Sequence, residues 1–198
     1  FINEFAESWG LSIDYFETGN LQDLEKKLVK GITRLVWLET PANPSWVVTD
    51  LEAAAKLAYE AGALLAVDST AATPVLTRPL ELGADLVCHS ATKYLNGHSD
   101  VIAGFLAVRE PSLEIWRRIH EHRKFGGAIL GSMEAYLLIR GMKTLHLRVQ
   151  RQCENALQLA RFLERQEIVE QVHYPGLESN PGHPVAKRQM QGGFGGML

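Results

Sequence analysis

The sequence predicts an α/β fold: a mainly parallel sheet flanked by helices, followed by the start of a C-terminal α/β domain. Three observations carry this. Short runs such as Thr33-Arg34-Leu35-Val36-Trp37-Leu38, Ala63-Leu64-Leu65-Ala66-Val67 and Ala84-Asp85-Leu86-Val87 are nearly continuous in apolar residues, as expected of strands buried on both faces. Segments of helical period alternate with them, which is the pattern of β-α-β units. Each run also ends in a polar stretch, at Glu39 to Pro44, Asp68 to Thr70 and Ser90 to Lys93. In parallel sheets the ligand crevice lies beyond such strand ends.

In chain order, Leu11 to Phe16 alternates as a short strand would, and Gly19-Asn20 marks a turn. Apolar residues at Leu21, Leu24, Leu28 and Val29 predict an amphipathic helix over 21–30. The strand over 33–38 follows. Its exit holds Pro41 and Pro44 around Asn43, which exclude helix and predict an extended loop. Thr49-Asp50-Leu51-Glu52 opens a helix with acidic residues in its first turn, and Gly62 closes it. The strand 63–67 then delivers Asp68. A loop rich in Pro and Thr and a short helical turn over 79–82 lead to a strand over 85–89. A further strand is predicted over 101–108, and Glu110-Pro111-Ser112 opens a helix through Ile115, Trp116 and Ile119.

The remainder reads as helix at 131–140 with Met133, Tyr136, Leu137 and Leu138 inward, interrupted at Gly141. A long helix over 144–165 carries Leu145, Val149, Cys153 or Ala156, Leu159, Ala160 and Leu163 on one stripe. Ile168 to Tyr174 is expected to be a strand. The predicted division is 1–141 as part of a large domain, with 142–198 as the connecting helix and the start of a small one. Phe1 opens in mid-pattern, and Gly192 to Leu198 enters a new element, so a fragment is expected.

Composition narrows the function. The 198 residues are 46% apolar and 22% charged, with a net charge of −3, ordinary values for a globular protein. No basic block points to nucleic acid or to an anionic membrane. No apolar run approaches the roughly 20 residues that span a bilayer, and the first five residues lack the basic start of a secretory signal. The two isolated cysteines, Cys88 and Cys153, lack histidines at ligand spacing. They read as reduced thiols, and a reducing cytoplasm is the expected location.

The chemistry gathers at Cys88-His89-Ser90-Ala91-Thr92-Lys93-Tyr94-Leu95-Asn96-Gly97-His98. Lys93 directly follows a strand and two hydroxyls. A lysine there can attack an aldehyde when its proton affinity is lowered, and Ser90 and Thr92 are suited to phosphate oxygens. Asp68 emerges one crossover earlier on the same sheet edge. There it can hold a pyridine nitrogen protonated, which makes the ring a better electron sink. Thr70 can bond Asp68 or stand near the ring. Together these residues point to pyridoxal phosphate (PLP). His98 and Asp100 lack the nucleophile that a catalytic dyad needs. His122, His173 and His183 lack metal-ligand spacing, so no metal is expected. No Gly-x-Gly-x-x-Gly follows a strand where a dinucleotide would require it. Solvated or structural roles suit Arg34, Arg78, Arg109 and Arg140, and core or interface roles suit Trp37, Trp46 and Trp116.

Val67-Asp68-Ser69-Thr70, Thr73-Pro74, Arg78 to Val87 and His89 to Asp100 closely resemble the Cys/Met-metabolism PLP enzymes, the γ-family of transsulfuration. Glu39 to Pro44, Leu137 to Leu147 and Tyr174-Pro175-Gly176-Leu177 extend the resemblance over nearly the whole chain. It implies a fold-type I, aspartate aminotransferase-like architecture and a homotetramer built as a dimer of active-site dimers. It further implies that Lys93 forms the Schiff base with PLP and later shuttles a proton, and that Asp68 pairs the pyridinium. Ser90 and Thr92 would bind phosphate, Thr70 would support the ring, and Asn43 would lie near the ring hydroxyl or the substrate. The implied reaction is γ-elimination or γ-replacement on a sulfur-containing or O-activated amino acid, in the cystathionine γ-synthase and γ-lyase branch. Methionine γ-lyase or O-acylhomoserine sulfhydrylase is the alternative within the family, and a non-catalytic PLP-binding homologue or inactive fragment the alternative outside it. By the resemblance, the family's glycine-containing phosphate loop and ring-stacking tyrosine are expected upstream of Phe1, and the substrate-carboxylate arginine downstream of Leu198. Ala42 and Ser69 stand where threonine and asparagine are common.

Overall fold

A computed structural model describes residues 2–198, the side chains of Ile2, Phe5 and Glu7 excepted. After a short helix α1 (Ile2–Ser8), the segment predicted as a strand from Leu11 to Phe16 has no regular structure. Leu11, Ile13 and Tyr15 are exposed, so the alternating pattern has neither a partner strand nor a core to bury against. Helix α2 (Leu21–Lys27) begins as expected, with the Asn20 side chain accepting from the Asp23 N–H. It ends earlier than its periodicity suggested, because Leu28 turns to extended backbone and packs on the core.

Strand β1 (Leu35–Glu39), helix α3 (Leu51–Ala61) and strand β2 (Leu64–Asp68) form the first crossover. Asp50 caps the start of α3 through the Ala53 N–H at 3.1 Å, and Gly62 closes it in the left-handed region at φ 76°. Between β1 and α3 the two prolines frame a tight turn instead of an extended loop. Ala42 and Val47 bridge, and the Trp46 N–H donates to the Ala42 carbonyl at 2.6 Å. The turn expected over 79–82 is present, with the Leu82 N–H donating to the Pro79 carbonyl at 3.1 Å, and a short helix α4 (Thr73–Leu76), which Pro74 opens, precedes it.

Strand β3 (Leu86–Ser90) pairs parallel to β2, and β4 (Gly104–Val108) runs antiparallel to β3, giving the order β1-β2-β3-β4. The sheet is therefore mixed, with two parallel pairings and one antiparallel edge strand. Helices α2 and α3 cover one face, where Val36, Leu38, Leu65 and Val67 are buried. The other face of β1 is open among the described residues: Leu35 and Trp37 remain 50% and 53% exposed. The expectation of strands covered on both faces is met on one side of this strand only.

Helix α5 (Glu114–Gly126) buries none of its residues. Helix α6 (Ser132–Met142) continues through Gly141, which does not interrupt it, and it buries Leu138 but leaves Met133 and Tyr136 exposed. The long helix α7 (Leu145–Leu163) buries the predicted stripe Leu145, Val149, Cys153, Ala156 and Ala160, while Leu159 is half exposed. Ile168 to Tyr174 is not a strand; Ile168 is 95% exposed, and among the described residues no neighbouring strand offers it a ladder. A helix absent from the sequence reading, α8 (His183–Gln189), starts at Gly182 with proline in its first turn. There Pro184 initiates the helix instead of breaking it. Gln189 ties α8 to the start of α3 by accepting from the Leu51 N–H at 3.1 Å and donating to the Thr49 carbonyl at 3.0 Å. One core joins Ala72, Leu76, Ala91 and Leu95 to Leu138, Leu145, Val149, Ala186 and Met190. Among the described residues no helix is long and apolar enough to cross a membrane.

Candidate active site

The C-terminal ends of β1, β2 and β3 are in register. Glu39 pairs with Asp68, and Asp68 with Cys88. Residues opposite one another on neighbouring strands point to the same face, so two carboxylates and a thiol stand in a row on the face of Leu35 and Trp37. No lysine or arginine among the described residues is in ion-pair distance of either carboxylate. The row is correspondingly unfriendly to further negative charge. Burial, and then the Asp68 charge, push the Cys88 thiol up to about 12, so it is an inert thiol. Burial also raises Glu39, with the Asp68 charge adding to it and a bond from the Asn43 N–H opposing it.

Asp68 is firmly oriented. Its Oδ1 accepts from the Thr70 N–H at 2.9 Å and from the Thr70 hydroxyl at 2.6 Å. Thr70 Oγ1 accepts in turn from the Ser90 N–H at 2.7 Å. Ser90 O accepts from the Lys93 N–H at 3.0 Å. One chain of hydrogen bonds therefore runs from the Asp68 carboxylate through Thr70 and Ser90 to the backbone of Lys93. The residues predicted at two separate strand ends are brought together by it.

The remaining predicted residues are placed differently. Thr92 has its hydroxyl engaged with Ala103, accepting from the N–H at 2.9 Å and donating to the carbonyl at 3.3 Å; this fixes the exit of β3 to the approach of β4. The Ser90 hydroxyl makes no hydrogen bond among the described residues. Asn43 is exposed, and its N–H donates to Glu39 Oε1 at 3.3 Å, so the loop containing it hangs on the row of carboxylates. Lys93 is exposed and lines a cleft of about 770 Å³ with Tyr94, Asp100, Arg148 and Gln152. Asp68 does not line that cleft.

Other expectations resolve into structural roles. His98 and Asp100 do not pair. His98 Nδ1 lies 2.7 Å from the Asn96 carbonyl, and Asp100 accepts from the Asn96 amide at 2.7 Å. Arg109 bonds Asp85 at 2.6 Å and the Ala84 carbonyl at 3.2 Å, and Arg78 pairs with Glu81. Trp46 is buried, whereas Trp37 is half exposed.

Two residues of this region received no role from the sequence. Glu39 is one, although a signal existed: adjacent apolar runs each end in an acid, Leu38-Glu39 and Val67-Asp68. Arg148 is the other. It donates to the Tyr94 carbonyl at 3.0 Å and to the Gly141 carbonyl at 2.9 Å. Nothing local distinguishes it from the other arginines of a helical face.

Comparison with known proteins identifies the family. The family model described as Cys/Met metabolism PLP-dependent enzyme matches residues 1–198. An L-methionine γ-lyase of Fusobacterium nucleatum subsp. polymorphum is 46% identical over 191 residues, 96% of this chain and 48% of that protein. A cystathionine β-lyase of Coxiella burnetii is 42% identical over 198 residues, 100% of this chain and 50% of its own length. Among solved structures, a cystathionine γ-lyase from Lactobacillus plantarum complexed with L-serine superposes with a TM-score of 0.93 at 38% identity, over 98% of this chain and 50% of that one. The chain thus spans about half the length of the relatives it matches.

Proposed function

Since the chain belongs to the Cys/Met-metabolism family of PLP-dependent enzymes, we propose that the whole protein catalyses γ-elimination or γ-replacement on a sulfur-containing or O-activated amino acid. The observation that carries the site assignment is the oriented Asp68 carboxylate, free of any basic partner among the described residues and linked by hydrogen bonds to the backbone of Lys93. The donor set fits PLP. An oriented carboxylate beside a second one favours a cation, which is what a protonated pyridine nitrogen offers. When bound, PLP supplies the electron sink that stabilises negative charge at the substrate's α-carbon.

Each residue has a task in this reading. Asp68 holds the ring nitrogen protonated, and Thr70 keeps Asp68 aimed. Ser90 offers its hydroxyl to phosphate. Thr92 shapes the same turn by accepting from the Ala103 N–H, and its hydroxyl serves phosphate by turning its donor away from the Ala103 carbonyl, which it meets at 3.3 Å. Asn43 lies near the ring hydroxyl or substrate. Lys93 would hold the cofactor's aldehyde carbon until the substrate's amine displaces it, and the freed amine would then take the α-proton of the substrate as general base and return a proton as general acid.

The substrate reading leans to the cystathionine γ-synthase and γ-lyase branch, supported by the Tyr174 to Ser179 and Gly182-His183-Pro184 stretches. Methionine γ-lyase is the second reading, favoured by the 46% identity to the Fusobacterium enzyme. We further propose a homotetramer of active-site dimers, a cytoplasmic location, and a division near residue 141 between a large domain and the start of a small one. Product analysis with cystathionine, with methionine, and with O-succinylhomoserine plus cysteine tests the substrate. Cystathionine formed or cleaved supports the first reading, and methanethiol from methionine supports the second. A cofactor absorption band that no amino acid perturbs would leave a non-catalytic homologue.

A further inference from the structure

We infer that Arg148 is a positioning residue for Lys93: its guanidinium clamps the turn that carries the lysine and so sets where the amine stands. This rests on Lys93 as the lysine that holds the cofactor. The turn leaves β3 at Ser90 and is closed by three backbone bonds, from Lys93 to Ser90, from Asn96 to Ala91 and from Gly97 to Lys93, at 3.0, 3.0 and 2.8 Å. On its inner side Ala91 and Leu95 are buried in the same core as Leu145 and Val149. That packing seats the base of the turn but does not touch the exposed lysine.

From α7 the turn is held by the Arg148 side chain. Arg148 Nη1 donates to the Tyr94 carbonyl, the residue after the lysine, and Nη2 donates to the Gly141 carbonyl in the last turn of α6. Nε donates to Thr144 Oγ1 at 3.2 Å. A guanidinium satisfies three acceptors on separate elements because its donors are fixed in one plane. Its charge also suits the C-terminal carbonyls of a helix. Two glycines make room for the clamp. A Cβ on Gly97, which sits at φ +73°, would fall on the Arg148 guanidinium, and one on Gly141 would run into the Asn96 carbonyl oxygen. Arg148 and Lys93 also line the same cleft, so the clamp faces the space into which the amine opens.

The test uses the natural full-length protein loaded with PLP. Arg148→Ala, Arg148→Lys and, as a separate control, Lys93→Ala are compared with wild type. Cofactor dissociation, the visible circular dichroism of bound PLP, kcat and KM are measured, along with thermal unfolding of the cofactor-free protein. The visible signal reports how the ring is oriented, which a purely structural role would leave alone. Arg148→Ala is expected to lower kcat by about a hundredfold, the effect of displacing a catalytic group by an ångström, and to weaken the visible signal, with KM little changed. Arg148→Lys, which can reach one carbonyl but not both, should fall between. The inference is overturned if the folded Arg148→Ala protein keeps the wild-type visible signal and kcat, whatever its melting temperature. A wild-type protein without a PLP band, or a Lys93→Ala protein with unaltered band and turnover, sinks the lysine assignment itself.

Discussion

The two faces of the same three strands serve different ends. Towards α2 and α3 they present Val36, Leu38, Leu65 and Val67, all buried and apolar. On the opposite face, one residue along, they present Glu39, Asp68, Cys88 and Ser90. Because side chains alternate with period two, stability and chemistry are written on alternate positions of one short segment. A packed face fixes the register, and the register then determines which polar groups stand side by side at the strand ends. The row of Glu39, Asp68 and Cys88 is thus a consequence of how Leu38, Val67 and Val87 pack.

The largest effect should come from the packed face. Leu65 is fully buried beside Leu51 and Ala54, and Leu65→Ala is expected to cost about 2–5 kcal/mol through lost burial and a residual cavity. Urea unfolding measures it. The kcat of the protein that remains folded should be that of wild type. A fall in kcat at unchanged stability would mean that the two faces are not separable in this way.

Asp68→Asn probes the opposite face. The amide oxygen can still accept from Thr70, so the hydrogen bonds at 2.6 and 2.9 Å survive while the negative charge is removed. Melting temperature should stay within a few degrees, while kcat of the full-length protein falls by about a hundredfold to a thousandfold, the scale of losing one preorganised electrostatic partner. Equal turnover in the variant would remove Asp68 from the ring-nitrogen role.

Much of this arrangement was legible in the residues. The apolar runs, the Asp50 and Gly62 caps of α3, and the polar strand ends with Asp68, Ser90 and Lys93 follow from local rules. Two strands were misread, at Leu11 to Phe16 and Ile168 to Tyr174, because an alternating pattern does not say whether a neighbour exists to complete the ladder. Helix α8 was hidden by Pro184, whose meaning depends on whether a helix starts or stops there. The partnership of Glu39 with Asp68 required the β1–β2 register. The reach of Arg148 to Tyr94 required the packing of α7 against the lysine turn. Both are long-range facts that periodicity does not contain.

The smallest and most discriminating difference between the faces is in their pH dependence. Glu39, on the open face, is raised above its usual 4.5 by burial and by Asp68. The native state therefore holds its proton more tightly than the unfolded chain. The stabilisation is present below the usual value and is lost as pH rises from there through the raised value. His89 points the other way from Cys88. It is 6% exposed, its Nδ1 is buried without a partner, and burial lowers it below 6.5. Here the unfolded chain binds the proton more tightly, so stability is present above 6.5 and is lost as pH falls through the lowered value. Each contribution is bounded at about 1.4 kcal/mol per pH unit. Urea unfolding between about pH 4 and about pH 8 should show the slope assigned to Glu39 vanish in Glu39→Gln, and that assigned to His89 vanish in His89→Gln. Variant curves that run parallel to wild type would mean that neither group changes its proton affinity on folding, and the electrostatic contrast between the two faces would fall with it.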